Sequence, residues 1–481
     1  MSTVTVDSST GRIRICARRI GIIGAGPAGL AAARAFLEAN SRARQANAAV
    51  PYTSITVLER NTAVGGIWNY TPDMTAHYNI PQDTAQQART RHIDERSAVT
   101  HGFPTPIYQE LHTNLPKDVM QFADVPFPPD TPLFPTWKHV QQYLHRFAQD
   151  HLPQESSPEF ALHLNTEVTH TAFDDGCWTC NMHNLETNTR SVLEFDALLV
   201  CTGRVSHPLI PDVPGLSELA RRDPGRIIHA KEYRRASDFT NQDVLVVGGA
   251  SSGSDISRQL TFSAKSVHLS LSTTKAPNLD EINSDPLKLH LGDGSNPENP
   301  LHIHPRIRQF TPDHIEFYDG TQMPLPHTII YATGYLTLYP FAPDVKPLPM
   351  APKLKKPLTD GHSVYGLFRF LVNIGNPLFS VLGVPTRVVP FPLYDYQGTY
   401  LAQLYQGTIE LPSFDDMLGQ NQADLELPHP FVWAERQLDY MNELAQQVAQ
   451  VQDNPRIHRV PNAWGERWMH SFLLRRKSLG Y

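Results

Sequence analysis

The sequence predicts an α/β protein with two Rossmann-like dinucleotide-binding domains, the second inserted into the first. Three observations carry this. A strand, a glycine-rich turn and a helix follow one another at Ile20–Ala39 and again at Val244–Phe262. Each unit then runs into a further apolar strand. The 481 residues suffice for two or three domains.

In the first unit the β-branched run Ile20–Ile23 meets Gly24-Ala25-Gly26-Pro27-Ala28-Gly29, and the Ala/Leu-rich Leu30–Ala39 follows. The first glycine permits the turn, the second lets a pyrophosphate approach the backbone, and the third lets the helix pack on the strand. The helix N-terminus then faces the phosphate charge. Ser54–Leu58 is the expected second strand, and the Glu59 carboxylate at its end suits a ribose. Glu59 stands 35 residues after Gly24, beyond the ~20 of the usual unit; the polar stretch Asn40–Val50, read as a loop insertion, accounts for the excess.

The second unit has the strand Val244–Val247, the turn Gly248-Gly249-Ala250-Ser251-Ser252-Gly253 and the amphipathic Ser254–Phe262. Ala250 replaces the middle glycine. The next strand, Ser266–Leu271, ends in Ser272-Thr273-Thr274-Lys275. An acid there would repel a ribose 2′-phosphate, whereas hydroxyls and a lysine accept one, so the nucleotide expected here is NADPH. The same turn also reads as Gly249-x-Ser251-x-Gly253, the nucleophile elbow of a serine hydrolase. That alternative leaves the first unit unexplained, and a hydrolase would be colourless.

Strand-like sequence resumes at Trp178–Asn181 and at Leu193–Val200, the latter running into Cys201-Thr202-Gly203. His327–Ala332 runs likewise into Thr333-Gly334-Tyr335, and both read as chain crossings between domains. Pro208, Pro211, Pro214 and Gly215 form a stiff linker. The expected domains are therefore 217–329, inserted between 1–216 and 330–481. Toward the C-terminus, Val388-Val389-Pro390-Phe391-Pro392 precedes a helix expected near Tyr394–Gln397, and Ser413 with Asp416 reads as a helix cap.

A net charge of −7 without a long basic run speaks against nucleic acid and anionic membrane as partners. Four cysteines are too few for a disulfide framework. The first twenty residues lack a signal-type apolar block, and the longest apolar runs, such as Ala197–Cys201, are one strand long. The expected location is cytoplasmic, with no membrane contact. Cys177-Trp178-Thr179-Cys180 invites a redox reading, but positions three apart on a strand face opposite ways, and Gly248 lies 68 residues further on. Packing is the expected role. His302 and His304 have no third or fourth ligand at a recognisable spacing, so no metal is expected.

The two turns in this order, Glu59-Arg60 followed by Gly65-Gly66-Ile67-Trp68, the block Leu111-His112-Thr113-Asn114-Leu115-Pro116-Lys117 with Met120-Gln121-Phe122, and Ala332-Thr333-Gly334-Tyr335 together resemble the flavin-containing monooxygenases. The resemblance runs from about Ile20 to the C-terminus and is nearest to short, soluble fungal members. It implies FAD on the first turn and NADPH on the second. Gly24, Ala25, Gly26, Pro27, Ala28 and Gly29 would meet the FAD pyrophosphate, Glu59 and Arg60 its ribose side, and Gly66, Ile67 and Trp68 its adenosine side. Thr113 and Leu115 would lie beside the ring system and Gln397 would contact it. Gly248, Ser251, Ser252, Gly253, Ser254 and Asp255 would meet the NADP phosphates, with Thr273 and Lys275 at the 2′-phosphate. The implied chemistry is oxygenation of a soft sulfur or nitrogen of a small molecule by dioxygen, through a C(4a)-hydroperoxyflavin. Such a reaction fits a tailoring step in fungal secondary metabolism.

Asn114 is the implied catalytic residue, because a neutral amide donates a hydrogen bond without offering an acidic proton. An NADPH-dependent flavin reductase or oxidase without oxygen transfer stays open as an alternative, as does a homodimer. The family's identifying pattern appears as Gly225, His229 and Tyr233, with Asp223 where phenylalanine is expected. Tyr233 also lacks the Trp-Pro/Asp ending of Baeyer–Villiger relatives, which favours heteroatom oxygenation. His229 reads equally as a linker histidine pinning two domains.

Overall fold

The computed structural model describes residues 2–72, 78–88, 103–278, 295–354, 356–427, 430–431, 436–452, 454, 456–457, 460 and 462–471. The first glycine turn joins β1 (Arg19–Ile23) to α1 (Pro27–Gln45), and β2 (Ser54–Leu58) and β3 (Ala197–Val200) pair parallel with β1 on either side. These runs are almost wholly buried, as parallel strands covered on both faces must be. Phe160–His163 extends the sheet beyond β2; Phe379–Val381, Val372–Asn373 and Leu367–Phe368 extend it beyond β3 to make seven strands.

A second, five-stranded parallel sheet draws all its strands from 227–331. Its central β4 (Asp243–Val247) leads through the second turn into α2 (Ser251–Leu260), and β5 (Ser266–Ser270) and β6 (Thr328–Tyr331) flank β4. Ile227–His229 lies outside β6 and His302–His304 outside β5. The internal likeness of the two units goes beyond the glycine turns. Each carries a three-stranded antiparallel element before its returning strand: Thr166–Asp174, Cys177–Asn184 and Thr189–Phe195 in the first, Ile307–Phe310, His314–Phe317 and Gln322–Pro324 in the second.

The glycines do the same work in both. Gly24 has φ +103° and Gly248 φ +108°, and a Cβ on either would sit 2.7 Å from the carbonyl oxygen after the returning strand, Cys201 in one case and Ala332 in the other. A Cβ on Gly29 would lie 1.8 Å from the Gly24 oxygen, and one on Gly253 1.7 Å from that of Gly248. Only glycine lets the helix start press onto the turn.

Three sequence expectations change. Asn40–Val50 is not a loop from its first residue: α1 continues to Gln45, because the Asn40 amide clamps both backbone groups of Tyr52 (2.8 and 2.9 Å) and Arg42 and Arg44 occupy the last turn, where cations suit the helix dipole. Leu193–Val200 is not one strand. It breaks at Asp196, whose buried carboxylate accepts the N–H groups of Arg18 and Arg19 at 2.9 and 3.1 Å, so Phe195 ends the antiparallel element and Ala197 begins β3. The C-terminal helix, α3 (Pro390–Tyr405), starts at Pro390 and not near Tyr394; first-turn N–H groups have no helical partner, so proline costs little there. The alanines of α1 explain how α3 is buried, since a Cβ on Gly398 would stand 3.1 Å from the Ala32 Cα. The Ser413 cap is present, its hydroxyl accepting from the Asp416 N–H at 3.2 Å.

The two crossings between the sheets hydrogen-bond to each other: His207–Pro208 pairs antiparallel with Tyr335–Leu336. Fully buried His229 locks this junction. Its Nδ1 accepts the Lys231 N–H (3.1 Å), so Nε2 carries the proton and donates to the Gly334 carbonyl (3.0 Å). Burial, reinforced by the Lys231 charge, drives the imidazole down to about 3. Burial pushes neighbouring Glu232 up to about 7, against the His229 N–H and the Arg234 charge, and Tyr78 donates its hydroxyl to the same carboxylate.

Two predictions follow from packing and burial. Gly29→Ala should lower stability by ~3 kcal/mol or more, whereas Gly419→Ala, on a helix where an added Cβ meets nothing within 4 Å, should raise it by up to ~1 kcal/mol; melting curves of the two variants check the opposite signs. On acidification from pH 7 to 5, the unfolded chain protonates His229 while the folded chain does not, which costs about 2 kcal/mol; Glu232, protonated first in the folded state, acts in the opposite sense. Relative to the parent chain, Glu232→Gln should therefore lose stability between pH 7 and 5 and His229→Gln should gain it, as read by urea titrations.

Candidate functional site

The first turn opens onto a cavity of about 520 Å³, within the range of ligand pockets. Gly24, Gly26, Pro27 and Ala28 line one wall, Glu59, Arg60, Gly66, Ile67 and Trp68 another, and Thr202, Arg204, Gly383, Pro390 and Tyr394 a third. Of the first set, Ala25 and Gly29 lie behind this lining. α1 has no side-chain cap, so its first-turn N–H groups are free for an anion, and Pro27 occupies a position that needs no donor.

The Gly65-Gly66 block belongs to the turn. The Gly65 N–H donates to the Ala25 carbonyl (2.9 Å), and a Cβ on Gly66 would come within 2.9 Å of the Gly26 Cα. Two backbones meet here with no room for a side chain, which is the cradle that a pyrophosphate needs. Glu59 is buried, one carboxylate oxygen accepting the Ala25 N–H at 2.7 Å and the other Asn61 at 2.7 and 2.9 Å. It braces the turn and still offers lone pairs to a ribose.

The sequence reading missed Arg204. Arg60 holds its guanidinium 4.2 Å over the Phe103 ring, and Arg204 donates to the Val384 carbonyl at 3.3 Å. Burial lowers the pKa of both, and neither forms an ion pair among the described residues. Two half-buried cations in the wall, an open helix N-terminus and a side-chain-free turn fit the charge and shape of FAD. Arg204 follows Thr202-Gly203, and its approach to the turn depends on the contact of Gly24 with Cys201.

Gln397 does not line the cavity. It is fully buried, accepting the Gly383 N–H and donating to the Tyr440 hydroxyl, each at 3.1 Å. The residues of α3 that reach the cavity are Pro390, Phe391 and Tyr394; Gln397 instead fixes Gly383.

The second set lies elsewhere. Ser251 and Ser252 are exposed at the start of α2, which has no side-chain cap; Gly253 is buried and Ser254 donates back to the Gly249 carbonyl (2.9 Å). Asp255 is buried and engaged by the Tyr108 hydroxyl (2.5 Å), Gln259 (3.0 Å) and Arg258 (2.9 Å), so its carboxylate serves packing in this structure. Thr273 and Lys275 are exposed after β5. No hydrogen bond ties Ser251 to a histidine among the described residues, so the elbow has no base among them. Cys180 is buried in mid-strand, its thiol pushed up to about 12 by burial, while Cys177 on the same strand is partly exposed; both are free. No group of three or more metal-binding side chains occurs among the described residues, and none of their helices is long and apolar enough to cross a membrane.

Between the sets runs the segment 108–117. Tyr108 and Leu111 pack into the core of the second sheet, while Leu115, Val119 and Met120 pack into that of the first. Thr113 and Asn114 stand at this transition; Thr113 is buried, its hydroxyl donating to the Leu115 carbonyl (2.8 Å), and Asn114 is half-buried and does not line the cavity. Lys117 explains its place in the block. Its ammonium donates to the carbonyls of Pro128, Pro129 and Thr131 (3.2, 2.9 and 2.6 Å), three acceptors in a proline-rich loop poor in N–H donors.

Comparison with known proteins follows the same outline. A family model described as flavin-binding monooxygenase-like matches residues 96–278. The chain is 27% identical to flavin-containing monooxygenase FMO GS-OX5 of Arabidopsis thaliana, over 91% of this chain and 86% of the relative. It is also 27% identical to flavin-containing monooxygenase iboF of Amanita muscaria, over 82% and 80%. Among solved structures, the S-allyl-L-cysteine S-oxygenase of Allium sativum superposes with a TM-score of 0.73 at 25% identity, covering 96% of this chain and 93% of that one.

Gly26→Val would push branched methyls into the space between Gly26 and Gly66. The purified variant should keep its fold by circular dichroism and lose at least nine-tenths of its flavin absorbance near 450 nm relative to the parent protein.

Proposed function

We propose that the chain is a member of the flavin-containing monooxygenase family and that it uses FAD and NADPH to oxygenate a soft nucleophilic heteroatom of a small molecule, sulfur before nitrogen. The observation that carries the reading is the segment 108–117, which joins the core of the FAD-binding unit to that of the NADPH-binding unit and has Thr113-Asn114 at the transition. We assign the inserted unit to 217–329 and the FAD-binding unit to 1–216 and 330–481. The preference for sulfur draws support from the likeness to a cysteine-derivative S-oxygenase, and we propose a tailoring step in fungal secondary metabolism as its setting. We place the work in the cytoplasm.

Bound FAD, reduced by NADPH, supplies the activation of dioxygen. The chain's own residues hold and protect. Gly24 to Gly29 with Gly66 admit the pyrophosphate, Glu59 and Arg60 receive the ribose side, and Ile67 and Trp68 close the apolar wall. Gln397 acts through Gly383. Gly248, Ser251, Ser252, Gly253 and Ser254 take the NADPH phosphates, Thr273 and Lys275 the 2′-phosphate, and Asp255 holds α2 against Tyr108. Asn114, between Thr113 and Leu115 at the transition between the two cores, would donate a neutral hydrogen bond where the two nucleotides meet and would offer no acidic proton there. No triad is required of the protein, because the nucleophile is the substrate's own lone pair.

The test is a balance of electrons. With a dialkyl thioether, the parent enzyme should form close to one sulfoxide for each NADPH consumed. Asn114→Ala should still oxidise NADPH within a few-fold of the parent rate while its hydrogen peroxide yield rises at least five-fold. Recovery of all NADPH electrons as hydrogen peroxide, with every thioether and amine offered, would favour the reductase or oxidase reading instead.

A further inference from the structure

A nucleotide with a 2′-phosphate needs a counter-charge at the end of the strand after its phosphate loop. The sequence offers only Lys275 there, a flexible point charge. The tertiary structure adds a second cation from a remote part of the chain. His302–His304 runs parallel to β5, with Ser270 level with His304, so the residues after each strand emerge side by side at the same edge of the sheet. Three hydrogen bonds stitch them together: the Leu271 N–H donates to the His304 carbonyl (2.9 Å), the Ser270 hydroxyl to the Pro305 carbonyl (2.8 Å), and the Arg306 N–H to the Thr273 carbonyl (2.8 Å). Arg306 is thus fixed by its backbone to the residue expected at the ribose.

Among the described residues its side chain has no ion-pair partner. Arg306 is exposed, and no described carboxylate pairs with it or with Lys275. Its guanidinium carbon lies 5.8 Å from the centroid of the Tyr318 ring, and the Tyr318 N–H donates to the Arg306 carbonyl at 3.0 Å. The ring therefore limits where the planar fork can go. Thr273 adds a hydroxyl, although in this structure it donates to the Lys275 carbonyl (3.0 Å). A planar, always-charged group with paired donors recognises a phosphate dianion better than an ammonium does.

We propose that Arg306, brought to Thr273 by strand pairing, is a specificity-determining residue that binds the ribose 2′-phosphate of NADPH together with Lys275. The proposal rests on the NADPH reading above, and its test separates the two. Calorimetric titration of the FAD-loaded enzyme with 2′,5′-ADP and with 5′-AMP isolates the 2′-phosphate from hydride transfer. The parent enzyme should bind 2′,5′-ADP at least tenfold tighter than 5′-AMP. Arg306→Gln should weaken 2′,5′-ADP at least tenfold and leave 5′-AMP within twofold, and Arg306→Lys should recover part of the loss. If the parent discriminates and Arg306→Gln discriminates equally well, this inference falls and the NADPH reading stands. Equal weakening of both ligands also overturns it, since that reports general damage. If the parent itself fails to discriminate, the NADPH reading falls and takes the inference with it.

Discussion

The close approach of two backbones at a glycine turn is the constraint on which this molecule depends. At Gly24 and Gly29, and again at Gly248 and Gly253, strand end, helix start and returning strand occupy a space in which a single Cβ would overlap a carbonyl oxygen. The tightness places a free helix N-terminus at the open end of each turn, where N–H groups without helical partners can meet a phosphate. It also requires the returning strands to stop at Cys201 and Ala332, so both chain crossings leave from the same level of their sheets. The pairing of His207–Pro208 with Tyr335–Leu336, and the buried histidine that fastens it, follow from that placement.

The polar interior of the first unit is organised around the same turn. Glu59 spends one oxygen on the Ala25 N–H, so the residue expected to receive a ribose also holds the loop in shape. On the opposite wall, Gln397 fixes Gly383, and α3 approaches α1 closely because Gly398 faces Ala32. Asp395 of α3 and Arg456, both buried, pair at 2.7 Å; removing Arg456 would strand the Asp395 carboxylate in the interior, whereas Arg456 also pairs with Glu38 at 2.8 Å. The cavity wall is therefore rigid for reasons that lie one layer behind it.

Local patterns made the two units legible in advance. Glycine spacing, the β-branched runs before it and the residue type at the end of β2 and β5 are all short-range signals. The Ser413 cap and the strand character of Cys177 and Cys180 were readable for the same reason. Other features escaped. The break at Asp196 hides in a continuous strand-like run, since the N–H groups that capture its carboxylate belong to residues 18 and 19. The length of α1 was misread because Asn40 looks like a loop former until Tyr52 is beside it. The family resemblance puts Gln397 at the ring, but the side chain turns to Gly383 and Tyr440.

By itself the chain's order of residues determined that there are two glycine turns, each between a strand and a helix, and in which sequence, because a turn that excludes side chains is written in consecutive positions. Tertiary structure alone decided which distant groups stand near them: Arg204 reaching the first cavity, segment 108–117 joining the two cores, Arg306 beside Thr273. Those depend on strand order and register, which hydrogen bonds between remote segments fix, and a linear pattern holds no record of which strand will lie beside which.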